Sequence, residues 1–132
     1  MANQQNRTIN KVRLETNNDN QINELIQGDL DLEQMFHQVK GHPTGEVVFR
    51  PMEVTIINDG TSYYFDSIKN ETKVEKGFLS FYFGNRLISK IGFEAYLVGH
   101  KLKIEDQEIK EILKFSIISL EWGGTKFQRS DN

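Results

Sequence analysis

The fold is decided by the stretch Phe78-Leu79-Ser80-Phe81-Tyr82-Phe83-Gly84-Asn85-Arg86-Leu87-Ile88-Ser89-Lys90-Ile91, in which two apolar runs flank a Gly-Asn dipeptide. Successive side chains of a β-strand point to opposite faces, so alternate residues of 78–83 share a face. The two faces are Leu79, Phe81 and Phe83, and Phe78, Ser80 and Tyr82. Glycine as the first of two turn residues is typical of a type II′ turn. The stretch therefore predicts an antiparallel hairpin with strands at 78–83 and 87–91.

Period-two alternation extends on both sides of this hairpin, over residues 46–122. Pro51 interrupts a strand that begins at Val47, and proline has no N–H for a central ladder, so we expect an edge or a bulge there. Gly92 is typical of a bulge. Residues 106–111 fit either a helical turn or a strand and are left open. The other predicted features are turns at Asn58-Asp59-Gly60 and Gly99-His100, a strand at 62–67, a loop at 69–77, and strands at 93–98, 101–105 and 112–122.

The first forty residues show a different spacing. A short edge strand is predicted within 7–15, where Val12 and Leu14 are two positions apart and would share one face of a strand. Apolar residues then recur three and four positions apart in 19–27 and 30–40, which is typical of amphipathic helices. Capping residues flank both segments, with Asp29 or Asp31 able to begin the second helix and Gly41 to end it. The two segments predict a helical hairpin, and its apolar positions are Ile22, Leu25, Ile26, Leu32, Met35, Phe36 and Val39.

Together these elements predict an α+β fold that is mainly β. The expected architecture is an antiparallel meander that forms a small barrel or a strongly bent sheet, with an N-terminal helical hairpin packed on it. Closure removes the exposed edges of a sheet, which favours the barrel. A chain of 132 residues has the usual size of one domain. We expect one globular domain at 7–122 between flexible tails at 1–6 and 123–132.

Composition excludes several chemistries. The chain has no cysteine, so disulfides, thiolate metal sites and cysteine nucleophiles are impossible. The three histidines, His37, His42 and His100, lack the spacing of a metal site and are expected to face solvent. Nucleotide-binding loops and serine-hydrolase motifs are also missing. We therefore predict a protein without catalytic residues, metal or other cofactor, and not an enzyme.

The formal net charge of −3 gives no long-range field to hold a polyanion, so nucleic-acid binding is disfavoured. No apolar run reaches the roughly 20 residues that a membrane helix needs, and the N-terminus does not look like a signal peptide. The sequence thus predicts a cytoplasmic protein without a membrane partner. Its content of Asn, Ile and Lys is typical of a bacterial or phage genome with low GC content.

One string carries a partial motif. Lys76, Gly77, Phe78 and Phe83 agree with the RNP1 pattern of RNA-recognition motifs. Leu79 and Ser80 depart from it, and the position of Ser80 normally supplies a base-stacking aromatic side chain. The order of elements also lacks the helices of that domain. Binding of RNA or another single-stranded nucleic acid through an aromatic sheet face is therefore kept as an alternative function only.

The predicted order of elements resembles intracellular fatty-acid-binding proteins: a first strand, a helical hairpin and then a meander. The resemblance covers architecture and no motif, because Phe127-Gln128-Arg129 does not supply that family's arginine and tyrosine pair. It implies a barrel that holds a small ligand or lipid, which is a second alternative. The side chains predicted to face the barrel interior, such as Phe81 and Phe93, are large and favour a packed core instead of a ligand cavity.

The function that the sequence favours is binding to another protein, as an inhibitor, an immunity protein or an accessory protein of a phage or mobile element. Exposed aromatic side chains clustered on a flat sheet are typical of interfaces. Self-association is as well supported as a foreign partner, because symmetric homodimers are the commonest assemblies. The predicted binding residues are Phe78, Tyr82, Tyr63 and Tyr64, with Lys76 and Arg86 at the rim.

Overall fold

A computed structural model of the chain describes residues 9–18, 20–30, 32–36, 43–70 and 72–129. Among them are nine strands and one short helix. The strands are β1 (Lys11–Thr16), β2 (Gln21–Asp29), β3 (Leu32–Phe36), β4 (Pro43–Phe49), β5 (Met52–Ile57), β6 (Val74–Phe83), β7 (Arg86–Glu105), β8 (Glu108–Trp122) and β9 (Thr125–Gln128), and the helix is α1 (Tyr63–Ser67).

Six strands close into an antiparallel barrel in the order β5-β2-β1-β6-β7-β8. Pairing of β5 with β8, which places Met52 opposite Phe115 and Ile57 opposite Lys110, joins the two ends of the sheet. The strand β9 continues the sheet beyond β8, and β3 pairs with β4 as a separate hairpin. Closure satisfies the backbone groups that an open sheet would expose at its edges.

The core is built from alternate residues of the barrel strands. Leu14 of β1, Leu79 of β6 and Phe93 of β7 point inward with at most 6% of their surface exposed. Phe93 and Phe115 meet with ring centroids 5.6 Å apart, within the usual range of aromatic pairs. The other buried members include Met52, Val54, Ile56, Ile91, Ala95, Leu97, Leu113, Ile117 and Leu120.

The predicted hairpin at Gly84-Asn85 is confirmed. It joins β6 to β7, and Gly84 has a φ of 61°, as the first position of a type II′ turn requires. The predicted turn at Gly99-His100 is wrong, because β7 continues unbroken for 20 residues. The chain turns instead at Asp106 and Gln107, which both have positive φ and tolerate it as polar residues. Gly99 marks only a shift of register against β8.

The N-terminal helical hairpin predicted from the sequence is wrong. Residues 21–29 form β2, and Leu32–Phe36 form β3, while residues 37–40, including His37, lie outside the described part of the chain. The inner side of β2 carries amides: Gln21 and Asn23 are buried, and Ile22 and Ile26 are exposed. Helical spacing of the apolar residues was misleading, because Ile22 and Ile26 of β2 point to solvent and only Leu25 packs against the core.

The buried amides are stabilised by hydrogen bonds. The Gln21 Nε2 donates to Asn23 Oδ1 at 3.0 Å and to Asp59 Oδ2 at 2.8 Å. The Asn23 Nδ2 donates to the Ile57 carbonyl at 3.0 Å. Buried polar groups are tolerated when they are paired in this way. The predicted edge position of the first strand is also wrong, because β1 lies between β2 and β6.

Residues 62–67, predicted as a strand, contain α1 instead. The segment Asn58-Asp59-Gly60 does turn the chain, with Asn58 Oδ1 accepting from the Gly60 N–H at 2.7 Å, but it leads from β5 into a helix and not into a hairpin strand. The helix covers one end of the barrel, where Tyr64 is 1% exposed and shares a 2.7 Å hydrogen bond with Thr16 Oγ1. We call this the helix end and the opposite one the open end.

Two further segments acquire definite structure. Residues 108–111, part of the stretch left open between helix and strand, begin β8, and the strand predicted at 112–122 is confirmed as its remainder. Within 123–132, expected to be a tail, Gly123 and Gly124 turn the chain with φ of 61° and 84°. The strand β9 then pairs with β8, with Leu120 opposite Phe127.

Candidate functional site

The outer face of β6 holds three of the six binding residues predicted from the sequence. Lys76 and Phe78 are exposed and alternate with buried residues, as the face assignment predicted, and Tyr82 is half-buried. Two other assignments of exposure are wrong, because Phe83, placed in the core, is 45% exposed and Ser80, placed on the outer face, is 1% exposed. Phe78 is 38% exposed. The Lys90 Nζ lies 4.0 Å from the centroid of the Phe78 ring, and the Arg13 guanidinium lies 4.9 Å from that of Tyr82. Cations over aromatic faces are attracted by the ring quadrupole, so one face of each ring has a cation over it.

A groove of about 380 Å³ runs beside Phe78 on this face. Gly92 of β7 lies opposite Phe78, and a Cβ atom there would lie 3.4 Å from Phe78 Cε1, so the ring lies close over the glycine. Lys76 Nζ lies 3.5 Å from Glu94 Oε2, and Ser119 Oγ donates to Glu94 Oε1 at 3.2 Å. We name this the outer groove, and its lining includes Glu15, Lys76, Phe78, Gly92, Glu94, Ser119, Glu121 and Lys126. The groove carries both acidic and basic side chains, which favours a protein as its binding partner over a polyanion such as a nucleic acid.

The other three predicted binding residues are elsewhere. Arg86 is exposed at the β6–β7 turn of the open end. Tyr64 is buried in the core, so its prediction as a surface residue is wrong. Tyr63 is half-buried on α1, with its ring perpendicular to that of Tyr64 at 5.0 Å. Sequence could not place these tyrosines, because the segment was expected to be a strand beside β6.

A polar cluster anchors α1 at the helix end. The Tyr63 hydroxyl donates to Glu75 Oε1 at 2.8 Å, and Lys73 Nζ donates to the Tyr63 hydroxyl oxygen at 3.0 Å and to Ser67 Oγ at 3.1 Å. Burial raises the pKa of Tyr63, and the Glu75 carboxylate adds to this effect. Burial opposes the charge of Lys73, but its contacts with Tyr63 and Glu75 leave its pKa raised overall. These groups hold the helix in place.

An apolar arm projects from the same end. The β7–β8 hairpin continues past the barrel, and residues 101–109 are all exposed. Leu102, Ile104 and Ile109 are 56%, 73% and 46% exposed. Directly opposed residues of an antiparallel pair share a face. These three side chains therefore lie on the face of β7 and β8 that points into the core farther along the two strands, but here that face is exposed to solvent. The sequence analysis did not predict the arm, because it placed a turn at Gly99-His100, within the strand that forms the arm.

A groove of about 480 Å³ separates the arm from α1. His100 Nε2 lies 2.8 Å from Glu111 Oε1, and Asn58 Nδ2 donates to Glu111 Oε2 at 3.0 Å. The side chains of His100 and Glu111 are 8% and 4% exposed, so the prediction that His100 faces solvent is wrong. The Phe65 ring, 63% exposed in this groove, meets His100 edge-on at 5.7 Å. His42 lies outside the described residues.

The open end of the barrel holds a third cavity, of about 330 Å³. It reaches inward to the core residues Met52 and Ile91, and its rim includes Ile9 and Ile26, which are 42% and 46% exposed. We call this cavity the mouth. Its lining is mainly aliphatic, with Val12, Leu25, Leu30, Val54, Leu79 and Phe81 among its members.

Within the described ranges, no three residues among His, Asp and Glu are grouped so that they could hold a metal ion. The same part of the chain contains no helix that is long and apolar enough to cross a membrane. The candidate site is therefore defined by surfaces: the outer groove, the arm and the mouth.

No family model matches the chain, and no curated protein matches it. Solved structures do share its fold. Hcp1 from Flavobacterium johnsoniae superposes with a TM-score of 0.78 at 18% identity, over 91% of this chain and 100% of that one. Hcp1 from Salmonella typhimurium gives 0.65 at 13% identity, over 91% and 92% of the two chains.

A third similar structure belongs to a larger particle. A chain in the baseplate of the anti-feeding prophage, solved by cryo-electron microscopy with sixfold symmetrisation, superposes with a TM-score of 0.52 at 11% identity. The match covers 86% of this chain and 91% of that one. These likenesses establish the fold: an Hcp-like closed barrel, which occurs in bacterial and prophage proteins. The matches cover 86–91% of this chain.

Proposed function

We propose that this protein is a non-enzymatic structural subunit that assembles with copies of itself into a closed ring. The observation that carries the proposal is the match of the whole barrel to Hcp1 structures. A chain of the same fold in a sixfold-symmetrised baseplate supports a cyclic arrangement of six copies. The proposal replaces the homodimer expected from the sequence. A homodimer pairs one surface with the same surface of its partner, whereas a larger ring joins two different surfaces of each copy.

The interior of the barrel supports a structural role over a carrier role. Leu14, Met52 and Phe115 are fully buried and belong to one cluster of core side chains that occupies the interior of the barrel. The mouth reaches this core from one end only. A lipid carrier needs an interior wide enough for its ligand, and small barrels filled by large residues do not provide one.

The outer groove is the surface that we assign to the contact between neighbours in the ring. Phe78 and Tyr82 supply aromatic area, and Arg13 and Lys90 supply charge beside it. Aromatic residues and arginine dominate the energetics of protein interfaces. The mixed charges of the groove, with Lys76 beside Glu94, match a protein partner that also has both signs. RNA binding has less support because the groove also carries the carboxylates of Glu15, Glu94 and Glu121, which repel a phosphate backbone.

The test is the mass and shape of the purified protein across a range of concentrations. Native mass spectrometry should show a species of six times the 15.3 kDa chain mass, and negative-stain electron microscopy should show rings. A protein that stays monomeric or dimeric at all concentrations up to several hundred micromolar would contradict the proposal.

A matched pair of variants locates the ring contact. Phe78→Ala together with Tyr82→Ala should abolish the ring and leave the circular dichroism spectrum and melting temperature of the monomer nearly unchanged. Phe127→Ala is the control, because Phe127 has the same 38% exposure as Phe78 but lies on β9, outside the outer groove. Rings that persist in the double variant would show that the contact lies on another face. The cytoplasmic location stays a prediction from the sequence.

A further inference from the structure

Ser80 of β6 is a buried polar residue that lies outside the core. It is directly opposite Arg13 of β1 and Lys90 of β7, and directly opposed residues share one face of a sheet. The cations of these neighbours lie over the rings of Phe78 and Tyr82 on the outside of the barrel, so Ser80 faces outward beneath larger side chains. It is 1% exposed, and its Oγ has no hydrogen-bond partner within the described ranges. A buried hydroxyl without a partner destabilises an isolated chain, which points to a partner supplied by another molecule.

Ser80 and its two cationic neighbours place three hydrogen-bond donors side by side, and we call Arg13, Ser80 and Lys90 the cationic row. Neither cation forms an ion pair in the part of the chain that the structure describes, although Glu24 of β2 lies directly opposite Arg13. A guanidinium, an ammonium and a hydroxyl can all donate to one anionic group. Cationic donors form their strongest hydrogen bonds with carboxylates and phosphates. The cationic row therefore fits an anionic group with several acceptor oxygens.

Another side of the barrel carries two carboxylates that need cations. Asp29 of β2 and Glu53 of β5 are directly opposed and exposed on the outside of the barrel, and we call them the acidic pair. Like charges directly opposite each other are destabilising. Lys114 of β8 lies on the other side of Glu53, but no ion pair joins it to either carboxylate within the described residues. Two cations from a second molecule would relieve this repulsion.

The positions of the cationic row and the acidic pair suit a contact between neighbours in a ring. Around the barrel, β2 lies two strands from β6 and β5 lies three strands from it, so the two surfaces face different directions. Both lie toward the open end, because Asp29 lines the mouth and Tyr82, beside Arg13, comes shortly before the β6–β7 turn. Two different surfaces at a similar level allow one copy to contact the next without an axial step, so the contact can close.

We infer that the cationic row of one copy receives the acidic pair of the next copy in the ring. The two cations pair with the two carboxylates, and the Ser80 hydroxyl donates to a carboxylate oxygen. The inference rests on the proposed function and deepens it, because the outer groove supplies only one of the two surfaces that a ring contact needs. The acidic pair is the second surface.

The variant Ser80→Ala separates a role in the contact from a role in the fold. In dilute monomer the hydroxyl has no partner among the described residues, so its removal should leave the melting temperature unchanged or raise it. In the ring the variant loses a hydrogen bond to a carboxylate, and the concentration needed for assembly should rise about tenfold. Sedimentation velocity at increasing concentration measures assembly. Rings at the wild-type concentration, or a lower melting temperature of the dilute variant, would overturn the inference.

Charge reversal tests whether the two surfaces contact each other. One variant carries Arg13→Glu with Lys90→Glu, and the other carries Asp29→Lys with Glu53→Lys. Each variant alone places like charges across every contact, so neither should form rings. All four positions lie on the outside of the barrel, so both variants should keep the circular dichroism spectrum of wild type.

Mixing the two reversed variants provides the decisive readout. In an alternating ring, every contact joins either two native surfaces or two reversed surfaces, so all contacts are attractive. A sixfold ring accommodates the alternation as three copies of each variant, and native mass spectrometry should show that composition. A mixture without rings, or a reversed variant that forms rings alone, would overturn the inference.

A matched control removes the effect of net charge. Lys69→Glu with Lys101→Glu changes the net charge as much as the reversal of Arg13 and Lys90, but both lysines are exposed at the helix end, outside the contact. This control should form rings like wild type, and its failure to do so would count against the inference. Open chains in place of rings, lost in each reversed variant and restored by the mixture, would refute the ring and leave the contact intact. Wild-type rings that every reversed variant retains would refute the contact and leave the ring intact.

Discussion

At the scale of single residues, Gly77 of β6 leaves no room for a side chain beside β1. A Cβ atom at this position would lie 2.2 Å from the Glu15 carbonyl oxygen and 2.8 Å from Thr16 Cγ2. The first neighbour is backbone of the paired strand β1 and cannot rotate away. Glycine is therefore required here by space and not by its φ.

This geometry predicts a large difference between two glycine substitutions on neighbouring strands. Gly77→Ala should lower the free energy of unfolding by about 1–3 kcal/mol or more, the usual cost of overpacking. Gly92→Ala is the control, because its nearest neighbour, Phe78 Cε1, would lie 3.4 Å away in ordinary contact, and its effect should stay within about 0.5 kcal/mol. Urea denaturation measures both values, and equal losses would show that the approach at Gly77 is not tight.

Tyr64 predicts how stability depends on alkaline pH. Burial raises the pKa of Tyr64 well above its usual value near 10, so the folded protein keeps a proton that the unfolded chain loses. Its contribution to stability is fully present below the unfolded pKa and declines as pH rises above about 10. Tyr64→Phe removes this titration and loses the hydrogen bond to Thr16, at a cost of about 0.5–1.5 kcal/mol.

The check is the urea midpoint of wild type and Tyr64→Phe between pH 8 and 11. The wild-type midpoint should fall more steeply than that of the variant over the upper part of this range. Parallel curves for the two proteins would mean that the alkaline loss comes from other groups.

At the scale of elements, the arm is separable from the barrel. Every residue from 101 to 109 is exposed, and Lys110 is the first residue of β8 that pairs with β5. Lys103 and Lys110 are directly opposite each other, so a two-residue Asn-Gly turn can join them in place of residues 104–109. The barrel and its core residues remain unchanged by this shortening.

The shortened protein exposes no core residue, and its main loss is the hydrogen bond from the Asn58 N–H to the Ile109 carbonyl, so its unfolding free energy should stay within about 1.5 kcal/mol of wild type. Ile117→Ala on the same strand β8 should cost about 2–5 kcal/mol, because Ile117 is 1% exposed in the core. Thermal denaturation compares the two variants. A shortened chain as unstable as Ile117→Ala would mean that the arm packs on the barrel.

At the scale of the whole molecule, stability comes from closure of the barrel around one apolar core. No candidate metal cluster exists in the ranges that the structure describes, and the chain has no thiol. A chelator such as EDTA should therefore leave the melting temperature unchanged to within about 1 °C, and so should a reductant. A fall of several degrees with EDTA, reversed by added zinc, would reveal a structural metal. Calorimetry provides the measurement.

The sequence by itself determined the β-hairpin at the centre of the fold and the faces of β6 up to Leu79; the assignment of exposure fails at Ser80, which is buried, and at Phe83, which is exposed. Alternation over 78–83 and the Gly84-Asn85 turn are local signals, because side-chain period and turn geometry depend on neighbours along the chain. The mainly β class and the outward position of Phe78 and Tyr82 follow from the same alternation. The groove beside Phe78 was not predicted, and the role of these residues in binding stays a prediction.

Tertiary structure alone decided the N-terminal strands, the helix α1 and the arm. The inner face of β2 carries Gln21 and Asn23, whose partners Asp59 and Ile57 lie more than thirty residues away, so no local pattern marks that face as buried. The turn predicted at Gly99 is absent because β8 pairs with β7 on both sides of it, and α1 forms where Tyr64 fills the end of the barrel. Each outcome rests on contacts between distant segments, which outweigh local propensity when they bury apolar surface or satisfy polar groups.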